Sequence, residues 1–219
     1  DWRASGLSHI NISIDSIEPE TFRQITGHDK LNQVLTGLDM ALAEGFSAVK
    51  VNAVLLRQTA EAGFDDWARF VRDRPVSVRF IELMKTTDNH DYFATHHVKA
   101  QGLRDWLDRH GWTAGPRAVD AGPALEYRHP DYAGSIGLIA PYSPGFCDSC
   151  NRLRVTSRGK LRLCLFGDGG VDLRELLQDD DDRDLLNARI VSGLTGKTWS
   201  HQLAQGLSGD LKNLAQLGG

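Results

Sequence analysis

Over residues 9–15 the chain alternates Ile10, Ile12 and Ile14 with Asn11, Ser13 and Asp15, a period of two that predicts a strand with one apolar and one polar face. Two further β-branched runs, residues 48–56 and 76–84, read the same way. Between them the period lengthens. Leu31, Val34, Leu35, Leu38, Ala41 and Leu42 recur at helical spacing and stop before Gly45, and a second helical stretch, residues 64–75, ends at Pro75. Strands alternating with helices over about the first hundred residues predict a parallel sheet with right-handed crossovers.

The polar positions inside these strands carry the first functional information. A strand covered by helices is nearly all apolar on the covered side, so Asn11, Ser13, Asp15, Lys50, Asn52 and Arg79 are expected on the inside of a curved sheet or at its C-terminal rim, where α/β folds bind ligands. Strand-end Asp and Asn also commonly start turns, and that reading stays open for Asp15 and Asn52. Lys50 and Arg79 are more telling, because a cation in mid-strand is costly to bury unless an anion meets it. Met84 taken alone reads as core filling.

After Met84 the pattern changes. Residues 97–111 predict an amphipathic helix with Val98, Leu103, Trp106 and Leu107 inward, followed by two short strands, residues 124–129 and 135–143, between Gly- and Pro-rich turns. Residues 171–177 and 184–194 predict short helices. The acidic run of residues 179–182 reads as a solvated loop and helix start.

Composition narrows the functional classes. With 41% apolar and 25% charged residues this is an ordinary globular chain, and no apolar run is long enough to span a bilayer. A net charge of -4 argues against nucleic acid as a partner, so any basic site must be concentrated. The three cysteines all fall within residues 147–164. Their odd number and the lack of a hydrophobic leader run argue against a disulfide framework and predict a reducing, cytoplasmic location.

The stretch "RLRVTSRGKLRLCLF" has two alternating runs flanking Ser157, Arg158 and Gly159, a hairpin signal. A three-residue loop puts only Gly159 at positive φ, and in that register Arg154 opposes Arg162 and Arg152 opposes Cys164. Three guanidiniums and a thiol then share one side, while Leu153, Val155, Leu161 and Leu163 pack on the other. Such a ribbon suits a multiply charged anion. For the cysteines, zinc would need a fourth ligand from elsewhere or a water; an iron-sulfur cluster accepts three thiolates and keeps one iron open; three buried free thiols are the third reading.

"FCDSCNRLRVTSRGKLRLCLFGD" resembles the C-terminal cluster signature of the GTP 3',8-cyclases, the radical S-adenosylmethionine enzymes that open molybdenum cofactor biosynthesis. "HINISIDS", "VKVNAVL" and "RFIELM" follow the family's order, and the chain ends in Gly218-Gly219 as the family does. The resemblance extends over essentially all of the chain. It implies that Cys147, Cys150 and Cys164 bind a 4Fe-4S cluster whose open iron meets the guanine of GTP. Arg152, Leu153 and Arg154 would bind GTP together with Lys50, and the ribbon reading adds Arg162. Ser13 and Met84 would contact S-adenosylmethionine; Arg79 would be a further active-site cation; Gly218 and Gly219 would reach the active site.

The implied reaction uses a 5'-deoxyadenosyl radical to convert GTP to 3',8-cyclo-7,8-dihydro-GTP, which a downstream cyclic pyranopterin monophosphate synthase consumes. The implied fold is α/β: residues 1–97 the C-terminal part of an incomplete barrel, residues 98–219 a cluster-binding α+β segment. A homodimer is compatible with the family. Two departures stand out. No cysteine precedes Cys147, so the second 4Fe-4S cluster, the radical-generating one, is expected in a preceding part of a longer protein of which this chain is the C-terminal two thirds. Leu163 occupies a position where the family usually has proline. The alternative function is a metal-dependent nucleotide-binding module without radical activity.

Overall fold

A computed structural model of the protein describes residues 2–116, 122–148, 150–197, 200–210 and 212. In chain order the elements are β1 (His9–Ser13), α1 (Pro19–Thr26), α2 (Leu31–Ala43), β2 (Ala48–Leu55), α3 (Arg57–Ala62), α4 (Asp65–Arg72), β3 (Ser77–Glu82), α5 (His90–His96), α6 (Gln101–Arg109), β4 (Thr113–Ala114), β5 (Leu125–Arg128), β6 (Ser135–Ile139), β7 (Arg154–Val155), β8 (Lys160–Arg162), β9 (Val171–Asp172) and α7 (Arg183–Leu194), joined in places by short 3-10 turns. They form two compact units, one from Asp1–Leu83 with His96–Ala140, the other from Met84–Thr95 with Pro141–Gly219.

The first unit is built on one sheet in the order β1-β2-β3-β6-β5-β4. Strands β1, β2, β3 and β6 run parallel, and β5 and β4 add to the edge of β6 in antiparallel fashion. Strands β4, β5 and β6, all beyond residue 97, thus belong to the same sheet as β1, β2 and β3. The backbone N–H groups of Gly134 and Ser135 donate to the carbonyls of Val71 and Val76, which seats β6 beside β3. Gly134 has no side chain for good reason, since a Cβ there would lie 2.5 Å from both the Arg74 and Val76 carbonyl oxygens.

Alternation divides this sheet as the sequence predicts. Val49, Val51, Ala53 and Leu55 of β2 and Val78 and Phe80 of β3 are buried beneath the helices. Phe80 meets Phe64 and Trp67 edge-on at 5.6 and 5.3 Å, and Trp106 of α6 packs edge-on against Phe64. The opposite face of the same strands carries Asn11, Ser13, Lys50, Asn52, Ser77 and Arg79. Helix α2 ends where Gly45 takes φ 71°, and α6 buries Leu103, Trp106 and Leu107.

In the second unit β7, β8 and β9 form a three-stranded antiparallel sheet. The hairpin has the expected register: Arg154 opposes Arg162, Val155 opposes Leu161, and Gly159 carries the positive φ of 74°. Its apolar side is only partly covered, however. Leu161 is buried, but Leu153 and Val155 are 38% and 55% exposed. Residues 171–177 are not a helix: Val171–Asp172 pairs with β8, and only Glu175–Leu177 turns, as a 3-10 element. The backbone hydrogen bond from Leu173 N–H to the Gly159 carbonyl favours this arrangement over a helix. Asp180–Asp182 forms a second 3-10 turn leading into α7.

Candidate functional site

On the polar face of the first unit the register aligns two rows across neighbouring strands. Asn11, Lys50, Ser77 and Ser135 form one; Ser13, Asn52, Arg79, Gly137 and Glu126 form the other. Ser13 is exposed, whereas Lys50 and Asn52 are half-buried. Asn52 Oδ1 is buried without a hydrogen-bond partner among the described residues, an expensive state for an amide oxygen and one that a bound polar ligand would relieve. Asp15 proves structural: its Oδ1 accepts from Val54 N–H at 2.8 Å, while burial holds its carboxyl above the ordinary range.

The cation at Arg79 is met by the protein's own anion. Arg79 Nε donates to Glu126 Oε1 at 2.9 Å, with side chains 16% and 28% exposed. The second carboxylate oxygen accepts from Ser77 Oγ at 2.6 Å and Ser135 Oγ at 3.0 Å. On the helix side of β3, Glu82 is 2% exposed and pairs with His97 Nε2 at 3.1 Å; burial pushes its carboxyl up against the opposing pull of His97.

In the second unit Met84 packs with Tyr142, Cys164 and Leu165 around buried Phe166 and Leu203. The Tyr142 hydroxyl accepts from Lys85 N–H at 3.0 Å, and Asn89 Nδ2 donates to the Met84 carbonyl at 2.9 Å. Cys147, Cys150 and Cys164 are all free thiols, Cys150 exposed and the other two half-buried. A turn closes the first two, Cys150 N–H donating to the Cys147 carbonyl at 3.0 Å. Lys197 Nζ donates to the Cys150 carbonyl at 3.0 Å and the Arg152 carbonyl at 3.5 Å, fixing the backbone that follows.

The arginines of this unit divide into two kinds. Arg152 is exposed and Arg154 half-buried. Burial lowers the Arg154 pKa first and the charge of Arg152 adds to that, opposed by Cys150 and Cys164 nearby. Arg162 is 10% exposed and already engaged: its Nη2 donates to the Gly167 carbonyl and to Asp210 Oδ1, each at 2.6 Å. Asp210 Oδ2 also accepts from Gly169 N–H, and the Arg162 hydrogen bond holds the Asp210 carboxyl below its ordinary range.

The geometry thus gathers Lys50, Arg79 and Ser13 on one sheet face of the first unit. In the second, Arg154 lies within electrostatic reach of Cys150 and Cys164, and Met84 packs in the apolar cluster with Cys164. Gly218 and Gly219 lie outside the described residues. Among the described residues no three His, Cys, Asp or Glu side chains converge as a ready metal set. The donor set itself is three unbridged thiols, with the Arg154 cation near Cys150 and Cys164, and thiolates are the ligand chemistry that an iron-sulfur cluster takes.

Three participants escape a linear reading. Glu126 sits in a four-residue strand between Leu125 and Tyr127; a carboxylate at a sheet position could have been matched to Arg79. Asp210 gave no signal at all. His201, whose ring centroid lies 6.0 Å from that of Phe146 and 5.5 Å from that of Phe166, bridges the residue before Cys147 and the second residue after Cys164, and burial pushes its pKa down.

The profile of the Molybdenum Cofactor Synthesis C family matches residues 76–203. The chain is 54% identical over 218 residues to the GTP 3',8-cyclase of Stenotrophomonas maltophilia strain R551-3, covering 67% of that protein. It is 49% identical to the GTP 3',8-cyclase of Actinobacillus succinogenes, covering 65% of it, and 52% identical to that of Stenotrophomonas maltophilia strain K279a. The chain itself is matched over its whole length, so it spans about two thirds of these curated relatives. No helix among the described residues is long and apolar enough to cross a membrane.

Proposed function

Because the chain belongs to the GTP 3',8-cyclase family of molybdenum cofactor biosynthesis, we propose that it supplies the GTP-binding, second-cluster part of an enzyme that converts GTP to 3',8-cyclo-7,8-dihydro-GTP by radical chemistry. The parallel run β1-β2-β3-β6 is read as part of an α/β barrel. Cys147, Cys150 and Cys164 are the cluster ligands. When bound, the 4Fe-4S cluster offers one iron without a cysteine ligand to the guanine base.

The chain's own residues then divide the binding work. Arg152, Leu153 and Arg154 contact GTP, the two guanidiniums meeting its charge; Lys50 contributes a further cation, and Arg79 faces the anionic part of the nucleotide. Arg162 acts by holding the Cys164-bearing loop through Gly167 and Asp210. Ser13 and Met84 contact S-adenosylmethionine, Gly218 and Gly219 complete the active site, and the product passes to the downstream synthase. The protein works in the cytoplasm, where thiols stay reduced.

The observation that carries this reading is the half-buried Arg154, which stands opposite Arg162 in the hairpin and within electrostatic reach of Arg152, Cys150 and Cys164, on a chain of net charge -4. A half-buried cation near like charges and without a carboxylate partner among the described residues suits an anionic ligand. The second reading is a metal-dependent nucleotide-binding module without radical activity. Equilibrium dialysis of anaerobically isolated protein with labelled GTP tests the proposal. Saturable GTP binding that Cys164→Ala abolishes supports it; GTP binding unchanged by Cys164→Ala contradicts the cluster's part in holding the base.

A further inference from the structure

Across the polar face of the first unit, Glu126 of β5, Gly137 of β6 and Arg79 of β3 stand in one register row. The Glu126 and Arg79 side chains meet over Gly137, the strand between them. A Cβ at Gly137 would come within 3.0 Å of Arg79 Cγ and 3.2 Å of Glu126 Cδ, so the row closes only because that position has no side chain. The neighbouring row supplies the rest: Ser77 and Ser135 both donate to Glu126 Oε2, leaving Oε1 for Arg79 Nε. Every donor that reaches this carboxylate thus comes from a different strand position, and together they fix its orientation.

This arrangement has a directional consequence. Among the described residues the pair engages Arg79 through Nε alone, on the guanidinium edge facing β5. The terminal Nη1 and Nη2 groups form the other edge, which suits bidentate contact with an oxyanion. Along the same row Asn52 Oδ1 is buried without a partner, and as an acceptor it calls for a hydrogen-bond donor, such as a hydroxyl or N–H of the same ligand, beside the anionic group. A carboxylate paired only to neutralise Arg79 needs no hydroxyl donors from two further strand positions; one that must hold the guanidinium in a single orientation does.

We propose that Glu126 is a positioning residue for nucleotide binding: held by Ser77 and Ser135 across Gly137, it turns the free edge of Arg79 toward an anionic group of the bound nucleotide. The inference rests on the GTP reading given above. It adds a residue that does not itself touch the ligand, and a substrate-facing edge for one that does.

The test is a double-mutant cycle on GTP affinity, measured by calorimetry on anaerobically isolated protein, with Glu126→Gln, Arg79→Ala and both together. Glu126→Gln keeps the shape and an acceptor for Nε but removes the charge. It is expected to weaken GTP binding about tenfold, the scale of one charge-assisted hydrogen bond. In the Arg79→Ala background the same change should have no further effect, because a residue acting only through Arg79 loses its role when Arg79 is gone. Urea midpoints of all variants are measured alongside. Should Glu126→Gln fail to fold, Ser77→Ala carries the same expectation at about threefold, since it removes one of two donors to the carboxylate. An equal loss in both backgrounds, no loss in the parent, or an Arg79→Ala variant that binds GTP normally would each overturn the inference while leaving GTP binding intact. A parent protein that does not bind GTP overturns the functional reading and this inference together.

Discussion

Replacing Arg154 by alanine separates a ligand-binding cation from a structural one, because the two roles predict opposite effects on stability. Arg154 is half-buried in a short strand, opposite Arg162 and near Arg152. Burial and the like charge both disfavour its charged form, and no carboxylate among the described residues pairs with it. A structural arginine of this burial would be paired, as Arg162 is with Asp210. Removing Arg154 should therefore leave the urea midpoint of the ligand-free protein unchanged or slightly higher.

GTP affinity should move the other way. A hydrogen bond between charged partners contributes about 1.5–3 kcal/mol, so Arg154→Ala should raise the GTP dissociation constant by about 10- to 150-fold. Calorimetry at two ionic strengths checks the mechanism, since the variant should also lose part of the salt dependence of binding. Arg154→Met retains an apolar stem and should bind as poorly as the alanine variant. Unchanged GTP affinity with the iron content intact would refute the reasoning, and a large fall in the ligand-free midpoint would reassign Arg154 to the fold.

Two further predictions concern the first unit. Gly134→Ala places a methyl group 2.5 Å from two backbone carbonyl oxygens that cannot rotate away, so it should cost about 1–3 kcal/mol in urea denaturation; a loss below about 0.5 kcal/mol would show that β6 is not seated as described. Glu82 has a folded-state pKa above its ordinary 4.5 because of burial, so its contribution favours folding below that value and is lost as pH rises through the higher folded one. Relative to the parent, Glu82→Gln should therefore gain stability as pH rises above 4.5, read from urea midpoints across a pH series; parallel pH profiles would contradict it.

The parts of the fold with a strong period were legible. The alternation in β1, β2 and β3 and the helical spacing of α2, α4 and α6 each reflect burial of one face, and burial is written into the order of residues. The hairpin register followed from one glycine, because only Gly159 tolerates the left-handed turn. What stayed hidden depends on pairing between distant segments. Nothing near Ser135 announces that β6 joins β3 in parallel, and the helix expected at residues 171–177 gave way to a strand because β8 presented an open edge.

The site divides in the same way. Cys147, Cys150 and Cys164 stand out by spacing, and Lys50 and Arg79 by being charged in apolar strands. The anion needed by Arg79 was expected from a ligand, but Glu126 lies 47 residues away and pairs through a register that local sequence does not encode. Arg162 shows the same limit. Its alternation with Arg154 suggested a shared anion, while Asp210, 48 residues on, takes its charge.

The central claim is that the three cysteines hold an iron-sulfur cluster at a GTP site. Its most direct test is the metal content of protein produced under iron-replete, anaerobic conditions. Iron, acid-labile sulfide and zinc are measured per chain, with Cys147→Ala, Cys150→Ala and Cys164→Ala beside the parent. The account predicts about four irons and four sulfides per chain for a cluster of this type, little zinc, and loss of the iron in each variant. Stoichiometric zinc with no iron in the parent would contradict it.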